Sequence, residues 1–166
     1  MKSPLRISRR RLIHLSLSAV TVATIGALAV APAFAAADRG TKEEAQLMVD
    51  AALAHIKKIG TEQAYKDFTT NKASWTKKDL YVFVMDLNGK MIAHGANEKL
   101  VGRDLINLKD SSGKAFVVDM IAAAKKGSGW VDYEWADPIT KKVEGKSSYV
   151  QMVPAGSSFV GVGIYR

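Results

Sequence analysis

The sequence predicts an α+β domain built on an antiparallel sheet. Three observations carry this. An amphipathic helical segment opens the globular part. Two aromatic and β-branched runs follow, joined by Asp86-Leu87-Asn88-Gly89. After a second helical segment come three more strand patterns separated by short turns. Strands in sequence with short connections pair antiparallel, because a parallel pair needs a crossover of a dozen residues or more.

Residues 42–68 have helical period. Ala45, Met48, Ala52 and Ile56 share one apolar face, with Leu53 and Ile59 beside it. Thr41 with Glu44 three residues on is a capping-box pattern. Gly60 is a stop, and Thr61 restarts a short helix through Ala64, Tyr65 and Phe68. His55 reads as a surface or packing residue, since no second metal ligand stands at a suitable spacing. Residues 80–86 form a strand rich in Tyr81, Val82, Phe83 and Val84, and residues 90–94 return from the Asn-Gly turn. The aspartates of that turn lack the ligand spacing of a calcium loop. Residues 95–112 are a loop with a short helical piece at 104–108. Residues 113–126 form a helix whose apolar face is Phe116, Val117, Met120, Ile121 and Ala124, ended by Gly127-Ser128-Gly129. Strands are expected at 130–135, 146–153 and 158–165, with Asp137-Pro138 opening a turn.

The first 35 residues read as an address. Lys2, Arg6, Arg9, Arg10 and Arg11 precede about 19 uncharged residues from Leu12 to Val30, and Ala33-Phe34-Ala35 fits a signal peptidase. Cleavage after Ala35 would leave a mature domain of residues 36–166, delivered to the periplasm by the export machinery. Ser8-Arg9-Arg10-Arg11-Leu12-Ile13 resembles the twin-arginine export motif, with His14 where a lysine is common. A general secretory signal rich in arginine is the alternative, and a retained anchor of spanning length is a third reading.

Composition narrows the function classes. The chain has 166 residues, is 48% apolar and 24% charged, and contains no cysteine. This excludes disulfides, thiolate metal sites and a cysteine nucleophile. The formal charge of +8 includes the five basic residues of the address. Without them, 19 basic side chains face 16 acidic ones, a net of +3. The lysines are scattered in pairs, so no nucleic-acid footprint is expected. Outside the address the histidines are His55 and His94, and no Gly-x-Ser-x-Gly elbow occurs. A hydrolase is therefore disfavoured, no enzyme activity is expected, and no cofactor is implied.

Six stretches in register carry a resemblance. They are Asp79-Leu80-Tyr81-Val82-Phe83-Val84-Met85-Asp86 with Asn88-Gly89; Ala93-His94-Gly95-Ala96-Asn97 with Leu100-Val101-Gly102; Leu108-Lys109-Asp110 with Gly113-Lys114; Gly129-Trp130-Val131-Asp132-Tyr133-Glu134-Trp135 with Pro138; Lys146-Ser147-Ser148-Tyr149-Val150; and Gly161-Val162-Gly163-Ile164-Tyr165. In this order the chain resembles a single Cache domain of the second type, from about Lys42 to Arg166. That family supplies extracytoplasmic sensor modules to chemoreceptors and sensor kinases. The resemblance implies a PAS-like antiparallel sheet with a long N-terminal helix on one face and a small-ligand pocket on the other. It also implies ligands such as acetate, propionate, pyruvate or lactate. With no second span after Arg166, the expectation is a stand-alone module without its own signalling output. Such a module would present its ligand state to a membrane sensor or receptor. An interaction module with a side-chain-filled pocket is the alternative.

A small carboxylate needs fixed donors in a mostly apolar, partly dry pocket. Alternation puts Lys146 on one strand face with Ser148, Val150 and Met152, and the family's carboxylate-binding lysine falls at this motif. The alternative has Lys146 beginning the strand and snorkelling to water. Tyr133 and Trp135 share a face with Val131, the phenol as donor and the rings as walls. Trp130 lies on the opposite face, against another element. His94, at the roofing loop, is a candidate donor whose binding would strengthen as pH falls toward about 6.5. Tyr81 and Phe83 are candidate walls, and Arg103 is a candidate second carboxylate partner.

Overall fold

The computed structural model describes residues 39–154 and 156–166. The expected signal segment and cleavage site lie outside these residues. Helix α1 (Lys42–Ile59) starts at the predicted capping box. Thr41 Oγ1 accepts from the Glu44 amide at 3.2 Å, and Glu44 Oε2 accepts from the Thr41 amide at 3.0 Å. Gly60 ends it at a φ of 86°, and α2 (Thr61–Thr70) follows. The buried face of α1 is Ala45, Val49, Ala52 and Ile56. Val49, rather than the predicted Met48, completes it, because Met48 lies at the margin of the contact with the sheet and stays half-buried.

The chain next forms a one-turn helix α3 (Lys72–Trp75) and a two-residue strand β1 (Thr76–Lys77), too short for periodicity to predict. Strand β2 (Leu80–Asp86) turns at Asn88-Gly89 into β3 (Met91–His94). Asp86 Oδ1 accepts from the Asn88 and Lys90 amides at 2.9 and 2.8 Å, and Gly89 takes a φ of 89°. The helical piece expected at 104–108 is absent. A 3-10 turn forms instead at Glu98–Leu100, where Asn97 Oδ1 accepts from the Lys99 amide, and Asp104 makes an isolated bridge to Lys90. Then come α4 (Phe116–Lys125), β4 (Ser128–Ala136), β5 (Val143–Met152) and β6 (Ser158–Tyr165).

The sheet is antiparallel, ordered β1-β2-β6-β5-β4, with β3 also paired to β2. Strand alternation sorts its side chains into two cores. Leu80, Val82, Val84, Val160 and Val162 face α1 and α2. Tyr81, Phe83, Met85, Phe159 and Tyr165 face α4 and the loops. His55 packs in the helical layer, its ring 4.9 Å from that of Trp75 and its Nε2 2.8 Å from Asp67. Trp130 also lies on the helical side, with Tyr149 and the Lys42 ammonium against its ring. Among the described residues no helix is long and apolar enough to cross a membrane.

Candidate ligand-binding site

The face of the sheet turned toward α4 holds a row of aromatic and polar side chains. Lys146 stands mid-row on β5, opposite Tyr133 of β4 and Tyr165 of β6. It does not begin its strand, which starts three residues earlier at Val143, and it does not snorkel. Its side chain is fully buried. Its Nζ lies 2.5 Å from the Tyr81 hydroxyl and 3.3 Å from that of Tyr165, with the two ring centroids at 3.9 and 4.6 Å. Burial pushes its pKa well down, opposed by the charges of Asp79 and Asp137.

Glycine makes room for this lysine. A Cβ on Gly163 would stand 2.2 Å from Ser148 Oγ and 2.4 Å from Lys146 Cε, and one on Gly161 would stand 2.2 Å from the Phe83 ring. The hydroxyls are ordered in turn. Tyr133 and Ser148 hydroxyls are 3.0 Å apart, and the Tyr165 hydroxyl donates to the Ala136 carbonyl at 2.8 Å. Burial raises the pKa of both Tyr81 and Tyr133 well above the phenol range, so they are neutral donors.

Above this row lies an inner cavity bounded by Tyr81, Phe83, His94, Phe116, Tyr133 and Trp135. Phe116 stacks on Tyr133 at 4.5 Å and meets Trp135 edge-on at 5.5 Å. Its volume of about 20 Å³ holds about one water. Beyond it opens a vestibule of about 500 Å³ that includes Asn97, Leu100, Asp137 and Lys141. Tyr81, His94 and Trp135 border both spaces and form the wall between them. A larger hollow of about 620 Å³ beside α2 is bounded by the exposed Glu62, Lys66 and Glu98 and is open to solvent.

His94 corrects one expectation. Its Nδ1 accepts from the amides of Ala96 and Asn97 at 3.2 and 2.9 Å, which places the proton of the neutral ring on Nε2. Burial, and then the neighbouring Lys146, lower its pKa to about 3. The ring therefore stays neutral near pH 6.5, and it cannot strengthen anion binding there by gaining charge.

The chain and its fold match known proteins. The chain matches the family described as Single Cache domain 2 over residues 16–166. It belongs to the single Cache domain 2 family. Its members are ligand-binding sensor domains. This Cache chain is 36% identical over 88 residues to the methyl-accepting chemotaxis protein McpP of Pseudomonas putida, covering 52% of this chain and 16% of that one. The chain thus spans about a sixth of that curated relative's length. It superposes on a methyl-accepting chemotaxis protein from Vibrio parahaemolyticus with a TM-score of 0.67 at 26% identity, covering 75% of this chain and 87% of that one. It superposes on a Cache chemosensory domain solved for carboxylic acid recognition with a TM-score of 0.63 at 29% identity, covering 74% and 91%.

Within the Cache domain the structure gathers Lys146, Tyr133, Trp135, His94, Tyr81 and Phe83 around one cavity or directly beneath it. Arg103 stands apart. It is exposed and lines neither the cavity nor the vestibule, its backbone tied to Met91 and Leu100 instead. The sequence reading did not single out Tyr165 or Ser148. The signal for Tyr165 was present, because the Phe159, Gly161, Gly163, Tyr165 alternation sets one aromatic beyond two glycines on a single strand face.

Proposed function

We propose that this chain is a periplasmic sensor module that binds a small monocarboxylic acid in the aromatic cavity and presents the bound state to a membrane sensor or receptor. The observation that carries the reading is a fully buried lysine ringed by Tyr81, Tyr133 and Tyr165 beneath an apolar chamber. A carboxylate reaching Lys146 would gain a charge-assisted bond of about 1.5–3 kcal/mol. Tyr81, Tyr133 and His94 Nε2 would supply further donors. Phe83, Phe116 and Trp135 would enclose the alkyl part. The solved relative that recognises carboxylic acids supports this ligand class. An inner cavity of about one water's size requires the wall of Tyr81, His94 and Trp135 to shift as the ligand enters.

The same small volume favours a second reading, in which side chains fill the chamber and the domain acts only through its surface. Melting curves with acetate, propionate, pyruvate and lactate separate the two. A saturable rise in Tm supports the first reading, and no rise with any of them supports the second.

We also propose that residues 1–35 are an export signal cleaved after Ala35. Arg9→Lys with Arg10→Lys should abolish export if the twin-arginine route is used. Normal periplasmic levels of this variant would assign the general secretory route, and an intact Met1 on membrane-bound protein would contradict cleavage.

A further inference from the structure

The surroundings of Lys146 fix its charge as well as its position. No part of it reaches solvent, and its Nζ contacts are two phenols, which accept a hydrogen bond but bring no charge. The carboxylates whose charge reaches it are Asp79, before β2, and Asp137, after β4. Both are already engaged. Asp79 accepts from the Gly40 amide at 2.6 Å and from Arg39 at 3.4 Å, and Asp137 accepts from Arg39 and from the Ile139 amide at 2.6 Å. Tyr133 on β4 is a neutral phenol, and His94 on β3 is held neutral by the two amides on its Nδ1. Arg39, which holds both aspartates, offsets their pull on a second cation. A buried ammonium without an ion pair of its own discharges, and a carboxylate entering beside a neutral amine pays the same desolvation cost unanswered.

We propose that a monocarboxylate entering the cavity charges Lys146, so that each binding event takes up one proton from solution. This rests on the reading of the cavity as a carboxylate site. The free state is a neutral amine and a solvated carboxylate. The bound state is an ammonium–carboxylate pair: the amine lone pair forms one new N–H bond with a proton given up by buffer acid or water, whose own bond to that proton breaks, and no bond of the ligand changes. Affinity then rises as pH falls, by about tenfold per pH unit wherever the free amine is neutral and the free acid ionised. His94 is not the acceptor, since protonating Nδ1 would break both of its amide bonds.

Calorimetric titration of the purified protein with propionate at pH 8.5, in Tris and in EPPS, counts the proton. One proton per site is expected, seen as a heat difference equal to the difference between the two buffer ionisation enthalpies. Affinity is expected to be about tenfold weaker at pH 9.5 than at pH 8.5. His94→Gln should bind propionate more weakly, having lost a donor and part of the wall, but should still take up one proton for each ligand bound. Saturable binding with equal heats in both buffers would overturn the proton uptake and leave the carboxylate site standing, and saturable binding without uptake in His94→Gln would reassign the proton to the imidazole. Absence of binding by propionate, acetate, pyruvate and lactate alike would overturn the carboxylate site and this proposal with it.

Discussion

Lys146→Met separates ligand chemistry from folding. Methionine nearly matches the lysine in volume, and the Tyr81 hydroxyl keeps a contact with that of Tyr165 at 3.2 Å. No buried group is orphaned, so chemical denaturation at neutral pH should show stability unchanged or higher, within about 1.5 kcal/mol. Lys146→Ala should instead cost about 2–5 kcal/mol, because it empties a fully buried site. The sequence allowed a lysine at the start of its strand that snorkels to water, and the full burial of Lys146 is what makes its truncation costly. Alternation along β5 revealed its face. The depth depends on Tyr81, Tyr165 and Gly163, which come from strands remote in sequence.

His94 gives a second test at this scale. Its folded pKa of about 3 lies below the unfolded value of about 6.5. Between these values the unfolded chain binds a proton that the folded chain does not. The contribution is therefore complete above pH 6.5 and lost as pH falls toward 3, by about 3–5 kcal/mol in all. Urea unfolding at pH 7 and pH 4 should show wild type losing more stability than His94→Gln. Equal losses would mean that His94 titrates normally.

At the scale of elements, β6 decides whether the site can exist. Gly161 and Gly163 clear the space that Phe83 and Lys146 occupy. Gly163→Ala should displace the lysine and Ser148 and destabilise the domain by about 1–3 kcal/mol, measured by denaturation. A stability equal to wild type would show that the strands part freely there. The ends of β2 and β6 follow directly from the sequence, because aromatic and β-branched runs end at an Asn-Gly turn or begin at the last residue of Gly156-Ser157-Ser158. The strands β4 and β5 extend two or three residues beyond their apolar patterns, since pairing with each other prolongs them past the residues they bury. The 104–108 segment illustrates the opposite limit. Its composition permits a helical turn, and one turn bond forms from the Leu108 amide to the Leu105 carbonyl, but the bridge from Asp104 to Lys90 and the Leu105 amide bond to Gly89 keep it from becoming a helix.

Across the whole molecule, Arg39 is a clasp. It joins Asp79 before β2 to Asp137 and Glu144 in the β4–β5 hairpin, just ahead of α1. Both aspartate side chains have no exposed surface, while Arg39 is one quarter exposed. Arg39→Ala leaves two buried carboxylates short of their cation and should cost roughly 3 kcal/mol. A change within about 0.5 kcal/mol would show that backbone amides alone suffice for the aspartates. No periodicity announces this clasp, because its partners lie up to 105 residues apart. The order of helices and strands was legible from local patterns, and the path of the sheet from β2 to β6 was not.

Titration of the purified protein with propionate at pH 6.5, for wild type and Lys146→Met side by side, tests whether the carboxylate binds at the buried lysine. Saturable binding to wild type should weaken in the variant by roughly 30- to 150-fold, equivalent to about 2–3 kcal/mol. The variant should still unfold at or above the wild-type temperature. Equal affinity in the two proteins would place the carboxylate away from Lys146.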